Sequence, residues 1–144
     1  ATWIFLNWEG IAALGQGLKL NTFKMADYGV PYSYSPVIIA SEANIAQRKE
    51  EYSSFLSATK EGFMYTISNP EEAAEILKRK MAESDSEMNI VDAIKYSVNY
   101  FGDTNTWGKM ELNNIQRNLE WIYKNNLEST SIKVEDMITD DLLS

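Results

Sequence analysis

The hydrophobic period of the chain changes near residue 49, and this change constrains the fold more than any other feature. Before it, apolar residues come in short runs, whereas after it they recur with the spacing of an α-helix. A first long helix is predicted over residues 49–68, where six residues fall on one face at helical spacing: Tyr52, Phe55, Leu56, Thr59, Phe63 and Ile67. The chain therefore combines strand-like and helical segments.

Three short apolar runs in the first 41 residues are predicted to be β-strands. They cover residues 2–6, 20–25 and 37–41, and they are rich in the β-branched and aromatic residues that are typical of buried strands. A short helix is predicted between the first two, beginning after Asn7 and ended by Gly15. Because such strands need neighbours, we expect them to belong to an α/β sheet.

Four to five helices are predicted behind the strands. The second begins at Asn69-Pro70-Glu71-Glu72, which supplies an N-cap, a proline at the first helical position and a carboxylate. Ser84 and Glu87 form a capping-box pair before the third, which Gly102 ends. The predicted core faces of these helices hold Ala73, Ile76, Leu77 and Met81, then Val91, Ile94, Val98 and Phe101, then Leu112, Ile115, Leu119 and Ile122. The tail after residue 130 hints at a last short helix.

The composition excludes several classes of function. The 144 residues carry a formal net charge of −8, with 21 acidic against 13 basic residues, so nucleic acids and anionic membrane surfaces are not expected as partners. Cysteine and histidine are both absent. Their absence rules out thiolate or imidazole zinc sites and a serine–histidine–aspartate triad within the chain.

One stretch partly resembles a calcium-binding loop. Asp103 and Asn105 supply oxygens at the first and third positions, and Gly108 is the glycine at the sixth. However, the fifth position is Trp107, and the twelfth is Asn114 in place of the bidentate glutamate. We therefore interpret the stretch as a turn between helices, with Trp107 packed in the core.

Trp8 and Glu9 are the first candidate ligand-binding residues. They follow a predicted strand and open a predicted helix, which is where open α/β sheets place their ligand crevice. An indole face can stack on a flat heterocycle, and the adjacent carboxylate can accept two hydrogen bonds from an amino group or ring nitrogen of the same ligand. A core tryptophan beside an exposed helix-start glutamate explains the same residues, and spacing alone leaves both interpretations open.

Three tyrosines lie close together in the irregular stretch 27–36, which contains two prolines and a glycine. Tyr28, Tyr32 and Tyr34 follow no helical or strand period that would bury all three. At least one of them is expected to contact a ligand. Equally, the tyrosines could serve to keep this connection rigid.

Several stretches, read in order, resemble one known family. They are ATWIFLNWEGIAA, DYGVPYSYSPVIIAS, FLSATKEGFMYTISNPEEAAEIL, WGKM and DMITDDLL. Together they resemble the C-terminal half of the NMT1/THI5-like substrate-binding proteins, a periplasmic-binding-protein group that includes receptors for pyrimidine precursors of thiamine. The resemblance runs over nearly the whole chain, and its most specific parts are Trp8-Glu9-Gly10, residues 29–36 and residues 55–77.

The resemblance implies a two-lobed α/β fold that traps a ligand between its lobes. Residues 1–36 would form the end of the second lobe and the return crossover, and residues 37–144 the helix-rich C-terminal part of the first lobe. The sheet of the first strand would then lie upstream, so we expect an N-terminal part of the protein to be missing. Trp8 and Glu9 would meet the heterocycle, with Tyr32 and Tyr34 as further ligand contacts.

The resemblance also implies a binding protein with no cofactor and no enzymatic activity. The expected ligand is a pyrimidine precursor of thiamine, and the expected partner is the permease of an ABC importer. The expected location is extracellular, as a cell-surface lipoprotein, or periplasmic. Pyrimidine synthases of the same family rely on histidine and a lysine-bound pyridoxal cofactor, so the lack of histidine weighs against an enzyme. A stand-alone helical interaction module is another alternative, and exposed strand edges make a domain-swapped homodimer plausible.

Overall fold

A computed structural model describes residues 1–31, 34–81 and 88–143. The longer helices are α1 (Ile11–Gly15, preceded by a π-helical turn over Leu6–Gly10), α2 (Glu42–Gln47), α3 (Lys49–Ser68), α4 (Pro70–Lys78), α5 (Ile90–Ser97) and α6 (Leu112–Lys124). Short 3-10 turns cover Met25–Tyr28, Val98–Tyr100 and Val134–Asp136. Across the described part of the chain, no helix has the length and apolar character needed to cross a membrane.

The predicted α/β fold class is wrong for the described residues, because none of them forms a β-strand. Residues 2–5 lie outside regular structure, residues 20–24 are irregular up to a 3-10 turn, and residues 37–41 are irregular up to α2. A strand is stabilised by hydrogen bonds to a neighbouring strand, which apolar and β-branched composition alone does not provide. In the described residues these runs have no such neighbour, and Ile39 is 86% exposed.

The helical predictions after residue 48 are largely confirmed. The helix predicted over residues 49–68 is α3, and α4 begins at Pro70, directly after its N-cap Asn69. In α5 the Asn89 side chain accepts a hydrogen bond from the amide of Asp92 and so caps the helix. The capping-box pair predicted at Ser84 and Glu87 lies outside the described residues.

The chain divides into two compact units, of which the first comprises residues 1–21 and 58–107. Its core is formed by two alanines of α4 and two isoleucines of α5, namely Ala73, Ala74, Ile90 and Ile94. Ala74 is fully buried, and Ile90 is 1% exposed. An ion pair between Lys95 Nζ and Glu71 Oε1 at 2.7 Å joins the same two helices at the surface.

The second unit comprises residues 22–57 and 108–144. Its core is formed by Ile115 and Leu119 of α6 together with Val134, as the helical spacing of the two α6 residues predicts. The backbone near the end of the chain is held by Ser53, whose hydroxyl donates to the carbonyl oxygen of Leu142 at 2.8 Å. The boundary predicted between residues 36 and 37 concerns the two lobes of a larger protein, and it stays a prediction.

Candidate functional site

The π-helical turn over Leu6–Gly10 carries Trp8 and Glu9. The amide of Gly10 donates to the carbonyl oxygen of Phe5 at 3.1 Å, and the amide of Trp8 donates to the same oxygen at 3.0 Å. The first of these bonds spans five residues, which is the spacing of a π-helix. Such turns are rare in proteins overall, but those that occur are often found at functional sites. The two candidate residues therefore lie on an unusual piece of backbone.

Trp8 is partly buried and packs against the core of the first unit. The contact agrees with the interpretation of a core tryptophan, but part of the side chain stays accessible to solvent. Packing restricts the rotamers of the indole, and a side chain that is already restricted loses less entropy when it binds a ligand. Trp8 can therefore serve the core and still offer apolar aromatic surface for stacking.

Glu9 is exposed, and one of its carboxylate oxygens has a structural role. Its Oε2 atom accepts a hydrogen bond from the amide of Phe5 at 2.9 Å, in the manner of a carboxylate that reaches back to the start of its own helix. Among the described residues, no donor is found for the other oxygen, Oε1. That oxygen can accept a hydrogen bond from a ligand without disturbing the turn.

The turn is tied to α5 by a short chain of hydrogen bonds. Asn7 Nδ2 donates to Ser97 Oγ at 3.0 Å, and Ser97 Oγ donates to the carbonyl oxygen of Ala93 at 2.8 Å. Asn7 and Ser97 are 90 residues apart in sequence, so no local pattern could have indicated their contact. Sequence reasoning missed the role of both residues, and it placed Asn7 only directly before a predicted helix.

The tyrosine-containing stretch belongs to the second unit, where two hydrogen bonds attach it to α6 and to Glu111, the N-cap residue of that helix. The Tyr34 hydroxyl accepts a hydrogen bond from the amide of Glu111 at 2.8 Å, and Asn118 Nδ2 donates to the carbonyl oxygen of Pro31 at 2.7 Å. Tyr34 is 37% exposed. These contacts favour the interpretation that tyrosines keep this connection rigid. Tyr32 lies outside the described residues.

Trp8 and Glu9 are neighbours on one turn of the first unit, whereas Tyr34 lies in the second. Tyr28, the remaining tyrosine of the stretch, is exposed and packs against Phe23 with 5.9 Å between ring centroids. The roles of Trp8, Glu9, Tyr32 and Tyr34 as ligand contacts stay predictions.

The loop at Asp103 forms a turn, as its interpretation as a connection between helices predicts. Asp103 Oδ1 accepts hydrogen bonds from the amides of Asn105 and Thr106 and from the Thr106 hydroxyl, at 2.8, 2.9 and 3.0 Å. Trp107 packs against Phe63 with 5.5 Å between ring centroids, as the interpretation of a packed tryptophan predicts. Over the described ranges, no group of three or more His, Cys, Asp or Glu residues is placed to hold a metal ion.

One ion pair of the first unit shifts the pKa values of both of its partners, and it lies between two packed helices. A hydrogen bond from Lys95 lowers the pKa of the Glu71 carboxyl, and the same contact raises the pKa of Lys95. Both side chains are about half exposed, so solvent screens their attraction. This pair connects α4 to α5 and is not part of the Trp8–Glu9 turn.

Comparison with known proteins gives the class of protein. The model of the NMT1/THI5-like family matches residues 1–73, which is half of the chain, and the chain therefore belongs to this family. A curated relative, the formylaminopyrimidine-binding protein of Halalkalibacterium halodurans, is 29% identical over 80 residues. The aligned stretch covers 56% of this chain and 24% of the relative, so the chain spans about a quarter of the relative's length.

The comparisons confirm the family assignment that the sequence motifs predict. The matched residues include Trp8, Glu9, Tyr32 and Tyr34. The relative is named as a binding protein, which agrees with the expectation of a binding protein rather than an enzyme.

Proposed function

We propose that this chain is part of a solute-binding protein that captures a pyrimidine-type heterocycle. The observation that carries the proposal is the family match over residues 1–73, which includes the turn with Trp8 and Glu9. The name of the relative supports a pyrimidine as the ligand. A pyrimidine precursor of thiamine is the particular solute that we propose.

In this proposal Trp8 and Glu9 recognise different properties of the ligand. The accessible part of the indole stacks on the flat ring, while the core contacts of Trp8 keep the side chain in place. The free Oε1 oxygen of Glu9 accepts a hydrogen bond from an amino group or a protonated ring nitrogen. Such a charge-assisted bond is stronger than one between neutral groups. Together they favour a flat ring that carries a hydrogen-bond donor.

Further polypeptide would complete the binding site. A ligand site usually buries most of the surface of its ligand, which one turn carrying two side chains cannot do. We propose that the remaining wall comes from a part of the protein that corresponds to the uncovered length of the relative. A second copy of the chain, joined by domain swapping, is the alternative source. We further propose that the complete protein acts outside the cell, as a surface lipoprotein or in a periplasm, and passes its solute to the permease of an ABC importer.

The test is binding of formylaminopyrimidine to the 144-residue chain by ligand-observed NMR, a method suited to weak complexes. We expect Glu9→Gln to weaken binding about tenfold, because the charged oxygen that faces the ligand is replaced by an amide NH2 group, which cannot accept a hydrogen bond. Glutamine keeps a side-chain oxygen that can accept from the amide of Phe5, so the substitution removes the charge while the turn retains its bond.

The matched control is Glu42→Gln, which neutralises another exposed glutamate in the first turn of a helix, that of α2. Glu42→Gln should leave the affinity unchanged. If the chain shows no binding of formylaminopyrimidine at millimolar concentration, the proposal fails for this chain. Equal affinity of Glu9→Gln and the unsubstituted chain would remove Glu9 from the site.

A further inference from the structure

The turn that carries Trp8 and Glu9 depends on contacts from outside itself. A π-helical turn has poorer packing around its axis than an α-helix, and it persists where the surroundings favour it. Two contacts come from α5 or its core: the packing of Trp8 against the core that includes Ile90 and Ile94, and the hydrogen bond from Asn7 to Ser97. The packing holds the indole, and the hydrogen bond holds the residue just before it.

Ser97 is well suited to fix this position. It is the last residue of α5, and its hydroxyl donates to the carbonyl oxygen of Ala93 within the same helix at 2.8 Å. Because the hydroxyl proton is used in that bond, the oxygen faces Asn7 as an acceptor. Asn7 Nδ2 donates to it at 3.0 Å in a partly buried setting, where hydrogen bonds are less weakened by competing water.

The geometry points to Asn7 and Ser97 as positioning residues for the ligand-binding pair. We propose that the bond between them sets the direction in which Trp8 and Glu9 present their side chains, and thereby sets the affinity for a heterocyclic ligand. This inference rests on the proposed function for its effect on affinity. Its structural part, the dependence of the Trp8 environment on Ser97, can be measured without a ligand.

The first experiment uses 19F NMR of the chain labelled with 5-fluorotryptophan. The resonance of Trp8 among the four tryptophans is assigned from its loss in Trp8→Phe. We expect Ser97→Ala to move the Trp8 resonance. Asn7 loses its hydrogen-bond acceptor, so the turn shifts relative to α5 and the surroundings of the indole change. Ser97→Thr keeps a hydroxyl at the same position and should restore the resonance.

A matched control is available at the end of another helix. Ser68 is the last residue of α3, and its hydroxyl also donates to the carbonyl oxygen four residues earlier, that of Met64, at 3.2 Å. Ser68→Ala therefore removes the same kind of bond within a helix, without the bond from Asn7. It should leave the Trp8 resonance unchanged. The free energy of unfolding, measured for each variant in urea, shows whether the chain still folds.

The second experiment measures the affinity for formylaminopyrimidine in the same variants. We expect a loss of about three- to tenfold in Ser97→Ala, the size of one hydrogen bond, with recovery in Ser97→Thr and no loss in Ser68→Ala. An unchanged Trp8 resonance in Ser97→Ala overturns the inference. A moved resonance together with unchanged affinity overturns its functional part. If the unsubstituted chain binds no ligand, the proposed function fails, and the fluorine resonance still decides whether Ser97 positions Trp8.

Discussion

The part of the chain that matches the family and the part that follows it use their apolar side chains differently. Within the matched residues 1–73, the buried residues among those described are Gly10 and, at the very end, Ala73, although this part contains most of the apolar runs. From Ala73 onward, buried residues recur in α4, α5 and α6 and near Val134 and Leu142. The residues that identify the family are thus mostly not the residues that form the cores. The stretch that identifies the family and the stretch that supplies most of the buried core are therefore largely different parts of the same chain.

The largest expected loss of stability comes from a cavity in the core of the first unit. Ile90→Ala should lower the free energy of unfolding by about 2–4 kcal/mol, because Ile90 is 1% exposed and its removal leaves a void between α4 and α5. Ile39→Ala, at a side chain that is 86% exposed, should change it by less than about 0.5 kcal/mol. Urea denaturation followed by circular dichroism measures both. Similar losses of unfolding free energy at the two positions would contradict the difference between the buried part of the chain and the exposed part.

A smaller effect is expected from the loss of a helix cap. Asn89 caps α5, which carries buried residues, whereas Ser41 caps α2, which carries none. Asn89→Ala should therefore cost about 1 kcal/mol of global stability. Ser41→Ala should fray α2 locally with little change in global unfolding, since a segment with few buried contacts opens independently.

Hydrogen exchange of backbone amides separates these two outcomes. In Ser41→Ala, faster exchange should be confined to the amides of α2, with the urea midpoint unchanged. If the two cap variants lower the midpoint equally, α2 is coupled to the core more tightly than its exposure indicates.

The smallest expected change in stability comes from the ion pair between Glu71, in the part that matches the family, and Lys95, in the part that follows. The pKa of Glu71 lies below the ordinary value of 4.5 because of its hydrogen bond with Lys95. A carboxyl with a lowered pKa stabilises the folded state above its unfolded pKa, and this contribution is lost as the pH falls through its folded pKa. The contribution of the pair should therefore disappear as the pH falls below 4.5.

The comparison is between the unsubstituted chain and Glu71→Gln, with stability measured from about pH 6 down to about pH 3. The difference between the two should shrink toward acid, and it should also shrink at high salt, because the pair is exposed. Glu50→Gln, at an exposed first-turn glutamate of α3, is the control. A difference that does not depend on pH would show that the Glu71 carboxylate adds nothing through its charge.

The helices could be predicted from the sequence because their signals are local. The spacing of Phe63 and Ile67 and the proline after Asn69 define the end of α3 and the start of α4 within a few residues of sequence. The same holds for Ile115 and Leu119, whose separation by four residues places them on one face of α6. Ile90 was missed as a core residue because the predicted core face begins at Val91, one position later.

The strands could not be predicted correctly because a strand depends on a partner strand, which is often distant in sequence. Val37 and Ile39 have the composition of a buried strand, but composition does not provide the hydrogen bonds of a neighbouring strand. The same limit applies to the site. The positions of Trp8 and Glu9 at a helix start follow from local sequence, whereas the bonds from Asn7 to Ser97 and from Glu111 to Tyr34 join residues 90 and 77 apart.

The exposed run at Val37–Ile39 has a consequence for how separate molecules of the chain behave in solution. A short apolar, β-branched and uncharged stretch is a typical nucleus of aggregation, and here it is flanked by Pro36 on one side and Glu42 on the other. The net charge of −8 keeps molecules apart at low ionic strength, but salt screens this repulsion. We therefore expect colloidal stability to depend on a stretch that contributes little to folding. A substitution that strengthens the core would leave it unchanged, whereas one charged residue at position 39 would improve it.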